Sequence, residues 1–172
     1  MTRTIFITGG ARSGKSRLAE KLAADFGEPL CYIATGEARD REMAERIASH
    51  RQRRGAAWQT VEEPLRLSDA IRTANGHYQA ILVDCVTLWI TNLLFHYDAV
   101  DPVLAEVRSL AESLPALNTP LILVSNEVGL GIVPENALAR SFRDLAGNAN
   151  QLLAKAADEV YVTFSGIPMK LK

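Results

Sequence analysis

The sequence predicts an α/β protein built on a single doubly wound, mainly parallel sheet, and three observations predict it. Short apolar runs alternate with stretches of helical periodicity along the 172 residues. Runs such as Ala80-Ile81-Leu82-Val83 and Leu121-Ile122-Leu123-Val124 are apolar throughout, as strands covered on both faces are. The first run, Ile5-Phe6-Ile7, leads directly into Gly9-Gly10-Ala11-Arg12-Ser13-Gly14-Lys15-Ser16, a glycine-rich turn that opens a helix. The length suits one domain over residues 1–172, with no internal repeat, low-complexity tract or linker.

Taken in order, Thr4–Thr8 reads as a strand and Lys15–Phe26 as a helix with Leu18, Leu22 and Phe26 on one face. Gly27-Glu28-Pro29 closes that helix, and Leu30–Ala34 is a second strand. Asp40–Arg54 reads as a helix with Met43 and Ile47 in step, and Pro64–Asn75 as another with Leu67 and Ile71 in step. Ala80–Cys85 is a buried strand, followed by helices over Leu88–Tyr97 and Pro102–Leu114. Pro120–Ser125 is a strand, and Glu135–Ala157 holds a long helix with Leu138, Phe142, Leu145, Leu152 and Ala156 near one face. Val160–Phe164 is a strand, and Met169–Leu171 forms a short final one.

Ligands of such sheets sit beyond the carboxyl ends of the strands. Gly9–Ser16, Thr35–Gly36, Asp84 and Asn126–Glu127 all follow strands, so they are expected to converge on one edge. The G-x-x-x-x-G-K-S spacing is that of a P-loop. Its glycines let backbone N–H groups turn inward around phosphate oxygens, and the following helix N-terminus adds partial positive charge. Lys15 is placed to reach the β- and γ-phosphates, and the Ser16 hydroxyl to meet Mg²⁺. Asp84, at the end of an apolar strand, reads as the acid that holds that metal beside Ser16.

Composition narrows the partners. With 19 basic and 20 acidic side chains the formal net charge is −1, which argues against broad electrostatic binding to nucleic acid. No apolar segment is long enough to span a bilayer. Met1-Thr2-Arg3-Thr4 runs straight into the first strand and leaves no room for a signal peptide, so a cytoplasmic location is expected. Cys31 and Cys85 lie in apolar runs without a C-x-x-C spacing and read as buried thiols.

Three histidines are present. His50 would share a helix face with Met43 and Ile47, which suits a partly buried histidine. Arg46, Arg51, Arg53 and Arg54 surround it, however, and their field favours neutral imidazole, the nucleophilic form. His77 follows the Asn75-Gly76 turn signal and should be exposed, whereas His96 follows Leu93-Leu94-Phe95 and should pack. Neither has a partner at metal-ligand spacing, so no zinc site is expected. Glu127, in Ser125-Asn126-Glu127-Val128-Gly129-Leu130-Gly131, reads either as a base or orienting group or as a loop carboxylate capping the next helix. Arg140, Arg143 and Asp144 follow on that helix as surface charge or as a substrate or subunit contact. No Asn-Lys-x-Asp guanine-reading signal is present, which argues against a Ras-like switch.

Several stretches together resemble one family. They are the P-loop, Tyr32-Ile33-Ala34-Thr35, Ile47 to Arg54 and Thr91-Asn92-Leu93-Leu94-Phe95. They continue with Asn126-Glu127-Val128-Gly129, Gly131-Ile132-Val133-Pro134-Glu135-Asn136 and Phe142-Arg143-Asp144. The chain is similar over nearly its whole length to the bifunctional adenosylcobinamide kinase/adenosylcobinamide-phosphate guanylyltransferases of cobalamin biosynthesis. The resemblance implies phosphorylation of the aminopropanol hydroxyl of adenosylcobinamide by ATP or GTP. GMP transfer from GTP to that phosphate, through a GMP–histidine intermediate, then gives adenosyl-GDP-cobinamide and pyrophosphate.

The matching histidine is His50, preceded here by Ser49 where some members carry a second histidine. Family nucleotide contacts carry over to Gly9, Gly10, Ala11, Arg12, Ser13, Gly14, Lys15 and Ser16, and to Ala34, Thr35 and Gly36. They also carry over to Arg51, Gln52, Arg53, Arg54, Glu62 and Asp84. The resemblance further implies a RecA-like P-loop fold assembled as a homotrimer. To reach the α-phosphate the Asp40–Arg54 helix is expected to move on GTP binding, with Thr35-Gly36 as the hinge. Two other readings of the residues stand beside this one: a P-loop kinase of another small metabolite, with His50 structural, and a RecA-like NTPase module. Balanced charge and the lack of a basic groove speak against a nucleic-acid motor.

Overall fold

The computed structural model describes residues 3–36 and 55–172. The elements run β1 (Thr4–Gly9), α1 (Lys15–Ala24), β2 (Leu30–Ala34), β3 (Trp58–Glu62), α2 (Leu67–Ala74), β4 (Ala80–Asp84), α3 (Val86–Tyr97) and α4 (Val100–Ser113). A 3₁₀ turn over Leu114–Ala116 follows, then β5 (Leu121–Val124), α5 (Ala137–Ala156), β6 (Glu159–Phe164) and β7 (Ile167–Lys170). The strands form one seven-stranded sheet in the order β3-β2-β4-β5-β1-β6-β7. All neighbours pair in parallel except β6 and β7, an antiparallel hairpin. The α/β class and mainly parallel sheet are as expected.

Alternation along the strands divides the core between the two faces of the sheet. Ile5, Ile7, Leu30, Tyr32, Ala80, Leu82, Ile122 and Val124 pack with Ala19 and Ala23 of α1, and Leu18, Leu22 and Phe26 close the margin of that layer. The intervening residues Phe6, Ile33, Ile81, Val83 and Leu123 face the opposite way, onto Leu67 and Ile71 of α2, Trp89 and Ile90 of α3, Val107 and Leu110 of α4 and Leu145 and Leu153 of α5. Trp89 is fully buried and its indole N–H donates to the Leu65 carbonyl at 2.8 Å, so the largest core side chain leaves no donor unpaired.

Three expectations are corrected. The segment Trp58–Glu62 forms β3, which the sequence pattern does not reveal, because this edge strand, exposed at Gln59 and Glu62, offers only Trp58 and Val61 as apolar signals. The strand expected to run to Cys85 ends at Asp84, and α3 begins at Val86 rather than at Leu88. His96 is exposed rather than packed: it lies edge-on to Tyr97 near the end of α3, with ring centroids 4.9 Å apart. The expected Asp40–Arg54 helix lies outside the described residues.

Glu159 ties the starts of β1 and β6 to the last strand. It accepts a hydrogen bond and ion pair from Arg3, a hydrogen bond from the Tyr161 hydroxyl at 2.7 Å, and pairs with Lys170 at 3.0 Å. The Arg3 guanidinium, with smaller help from Tyr161 and Lys170, holds the Glu159 carboxyl down to about 2. An unfolded glutamate takes its proton near pH ~4.3, so this cluster contributes fully above about pH 5 and is lost as the pH falls toward the folded value. Glu159→Gln should therefore lower the thermal midpoint at pH 7 by about 1–3 °C, as suits a partly exposed ion pair. Thermal melts from pH 7 to pH 2 should show that deficit shrinking with acidification; a constant deficit would mean that packing, not charge, is at stake.

Candidate functional site

The site grows from the turn between β1 and α1. Gly14 occupies the N-cap of α1 with φ 99°, and no side chain caps the helix. The amides of the first turn are therefore free of a side-chain acceptor, the condition under which a helix N-terminus receives an anion. Arg12, at the exposed tip, also has positive φ (56°). Lys15 is buried, and its ammonium donates to the Gly10 carbonyl at 2.6 Å across the mouth of the loop. Burial lowers its pKa, against the opposing pull of the nearby Asp84 carboxylate.

The loop rests on the carboxyl-terminal hairpin. The hydroxyls of Ser13 and Thr163 share a hydrogen bond at 2.6 Å, and the Gly166 amide donates to the Ser13 carbonyl at 2.9 Å. A Cβ on Gly9 would lie 2.5 Å from the Thr163 carbonyl oxygen, and one on Gly14 would lie 3.1 Å from the Gly166 Cα. Thr163 and Gly166 thus shape the loop without belonging to it. Sequence reasoning singled out neither, although Ser165-Gly166 is a turn signal that marks the hairpin.

At the end of β4, the Ser16 hydroxyl donates to Asp84 Oδ2 at 2.6 Å, joining the two residues expected to share a metal. Thr35, at the end of β2, is wholly buried. Its hydroxyl donates to the Cys85 carbonyl at 2.7 Å and accepts from the Cys85 amide at 2.9 Å, while its own carbonyl accepts from Asn92 at 2.8 Å. The Thr35 side chain is therefore occupied in fixing the backbone beside Asp84. Burial, with the Asp84 charge adding to it, pushes the Cys85 thiol up to about 12, and burial alone takes Cys31 to about 11. Both are free, buried thiols, in line with the sequence reading.

The exit of β5 is held as firmly. Ser125 donates to Asn150 Oδ1 at 2.6 Å, Asn150 donates to the Asn126 carbonyl at 3.2 Å, and the Asn126 amide donates to the Thr87 hydroxyl at 2.7 Å. The Glu127 amide then donates to the Gly9 carbonyl at 2.9 Å, stitching this turn to the start of the P-loop. Farther out, the Arg143 guanidinium donates to the Gly129 carbonyl at 3.0 Å, and Arg140 donates to the carbonyls of Pro134 and Glu135. Both arginines on α5 thus brace the 129–135 loop.

Gly9–Ser16, Ala34–Gly36, Asp84 and Asn126–Glu127 accordingly meet along one edge of the sheet, the convergence that the sequence predicts. Glu62 reaches the same edge but on the outermost strand, exposed, with β2, β4 and β5 between it and β1. At ~4.8 Å per strand spacing it stands roughly 19 Å from the P-loop strand. His50, Arg51, Gln52, Arg53 and Arg54 lie outside the described residues. Among the described residues no cluster of three or more histidine, cysteine, aspartate or glutamate side chains forms a metal cage. Nor is any helix among them long and apolar enough to cross a membrane.

Sheet order, P-loop and strand-end acid together define a P-loop α/β protein. The chain belongs to the cobinamide kinase / cobinamide phosphate guanyltransferase family, whose model matches residues 5–171. It is 50% identical over 166 residues to the bifunctional adenosylcobalamin biosynthesis protein CobP of Pseudomonas aeruginosa, covering 96% of this chain and 95% of that one. It is 47% identical over 180 residues to the bifunctional adenosylcobalamin biosynthesis protein CobU of Escherichia coli, covering 98% and 99% of the two chains. Among solved structures the RadB recombinase shares the fold, with a TM-score of 0.56 and 14% identity over 93% of this chain and 73% of that one. That likeness bears out the RecA-like architecture and carries nothing about activity.

The close approach of Gly9 to Thr163 separates two neighbouring glycines. Gly9→Ala drives a methyl into backbone and should cost about 1–3 kcal/mol of stability. Gly10→Ala meets nothing within 4 Å and should be tolerated. Titration of a non-hydrolysable ATP analogue by calorimetry should show affinity reduced at least ~10-fold in the first variant and within ~3-fold of the parent in the second. Equal affinities would show that the seat on Thr163 does not shape the phosphate site.

Proposed function

We propose that the protein phosphorylates the aminopropanol hydroxyl of adenosylcobinamide with ATP or GTP and then transfers GMP from GTP to the new phosphate. The products are adenosyl-GDP-cobinamide and pyrophosphate. Family membership across residues 5–171, with a P-loop seated beside Asp84, is the observation that carries the proposal. One domain spanning 1–172 serves both reactions, and the two curated bacterial relatives are each named as bifunctional.

The residues divide the work by position. The amides and glycines of Gly9–Ser16 enclose the phosphates, and Lys15 turns from the Gly10 carbonyl to the β- and γ-phosphate oxygens. Ser16 and Asp84 would hold Mg²⁺: a hydroxyl and a carboxylate within hydrogen-bond distance are hard oxygen donors, and among the described residues no cluster of three or more histidine, cysteine or acidic side chains closes a cage around them. When bound there, the metal neutralises charge on the β- and γ-phosphates. Ala34, Gly36 and the backbone of Thr35 complete the nucleotide contacts beside Asp84, and Glu62 adds one at the outer strand.

For the second reaction His50 attacks the α-phosphate of GTP. An N–P bond forms, the bond to pyrophosphate breaks, and the cobinamide phosphate then displaces His50 to take the GMP. Arg51, Gln52, Arg53 and Arg54 bind the nucleotide, the arginines stabilising charge on the phosphate in transfer. We further propose a homotrimer acting in the cytoplasm. Exposed Leu130, Ile132, Val133 and Leu138, and Phe164, Ile167 and Met169 on the hairpin, are apolar surface of the kind subunit contacts cover. Light scattering of a purified sample would count against the trimer if it gave the monomer mass at micromolar concentration.

The chemical test is a trapped intermediate. After incubation with labelled GTP and denaturation in mild alkali, which preserves a phosphoramidate, the label should map to His50 as GMP. His50→Asn should keep cobinamide phosphorylation within ~3-fold while guanylyl transfer falls by on the order of 10³-fold. Equal loss of both reactions would contradict the assigned role, and kinase activity without any label would identify a kinase-only member.

A further inference from the structure

We propose that Glu127 is the general base of the phosphorylation step, accepting the proton of the attacking corrinoid hydroxyl; the proposal rests on the kinase reading above. β5 lies between β1, which carries the P-loop, and β4, which carries Asp84. The chain leaving the end of β5 therefore starts between the strand that carries the phosphate grip and the strand that carries Asp84. Glu127 is the carboxylate there, and its amide is bonded to the Gly9 carbonyl at 2.9 Å, which fixes its distance from the loop.

The other described carboxylates on this edge are committed or distant. Asp84 accepts from Ser16. Glu63 accepts from the amides of Leu65 at 3.1 Å and Arg66 at 2.8 Å, capping the approach to α2. Glu62 stands four strand spacings from β1, roughly 19 Å.

Glu127 itself is half-buried, and its Oε1 accepts from the Gly129 amide at 3.2 Å. The turn bearing it is rigid. Asn150 and Thr87 clamp Asn126 and Ser125 from two helices, so the carboxylate is held on the scaffold rather than on a free loop. In the step, the substrate hydroxyl oxygen forms a bond to the γ-phosphorus. The bond from that phosphorus to the β–γ bridging oxygen breaks, and the nucleoside diphosphate leaves with the electron pair. The hydroxyl proton passes to the Glu127 carboxylate and from there to water.

Glu127→Gln is the informative variant, because the amide oxygen still accepts from Gly129 but the side chain no longer takes a proton. Steady-state phosphorylation of adenosylcobinamide should show kcat reduced at least ~100-fold with KM for ATP within ~3-fold. Guanylyl transfer to pre-formed adenosylcobinamide phosphate should remain within ~3-fold of the parent. Kinase kcat within ~5-fold of the parent would overturn the assignment. So would a parallel fall in both reactions, which would report damage to the shared P-loop. A parent enzyme that phosphorylates no cobinamide yet guanylylates its phosphate would overturn the kinase reading itself, and Glu127's role with it.

Discussion

The contact on which the rest of the site depends is the approach of Gly9 to Thr163. A phosphate-binding loop exposes its amides to a ligand, so it cannot be held in shape by those same amides. It must be held from behind. Here the support comes from β6 and the turn after it: the Thr163 hydroxyl meets Ser13, the Gly166 amide takes the Ser13 carbonyl, and the Thr163 backbone occupies the space where a Gly9 side chain would stand. The inward-facing surface of the loop stays open because its outward-facing groups are already paired. That arrangement explains why the chain needs a strand beyond β1 on the side away from Asp84.

The same logic recurs on the other side of β1. The chemistry-bearing residues sit at strand ends, and buried polar groups with no access to substrate hold each strand end. Thr35 and Asn92 fix the backbone at Asp84 and Cys85; Thr87 and Asn150 fix Ser125 and Asn126. In a low-dielectric interior such groups are costly unless fully paired, and once paired they specify one arrangement. The apolar strands set the spacing of the edge, and these pairs set which atoms face outward along it.

How much of this was legible in the sequence differs by residue. Strands β1, β2, β4 and β5 announce themselves because burial on both faces makes them continuously apolar. β3 does not, because on this edge strand Gln59, Thr60 and Glu62 break any apolar run. The P-loop and Asp84 were legible because their chemistry requires fixed residue types at fixed spacing. Thr163 and Gly166 were not: their work is done through one hydroxyl and one amide, tasks that many residues share, across about 150 positions of sequence. Thr35 was legible in place, but its hydroxyl bonds to the Cys85 backbone were not, since a threonine after a buried strand looks the same whether its hydroxyl faces a ligand or the neighbouring backbone. His96 shows the opposite failure. Three apolar neighbours suggested packing, but the helix end carries Phe95, His96 and Tyr97 out to the surface together.

A single phosphate grip serving two reactions raises a geometric demand that sheet order helps to meet. In the proposed phosphorylation step, attack at the γ-phosphate uses an acceptor and a base near β5, between the loop and Asp84. In the proposed guanylyl transfer, attack at the α-phosphate uses a nucleophile from elsewhere, because the loop would enclose the β- and γ-phosphates at β1. The parallel pairing of β2 with β3 supplies the route. A parallel crossover leaves one strand at its carboxyl end and must return to the next at its amino end. The chain therefore departs from Gly36, beside Asp84, and rejoins at Ala57, whose carbonyl bonds the Leu30 amide at 2.9 Å. A connection that begins at the nucleotide edge gives a second nucleophile a tether there without occupying β1, β4 or β5. On the proposed two-step reaction, the division of labour follows from topology: strand ends pinned by buried hydrogen bonds would serve the γ-phosphate, and the sequence between β2 and β3, which holds His50, would supply the residue for the α-phosphate.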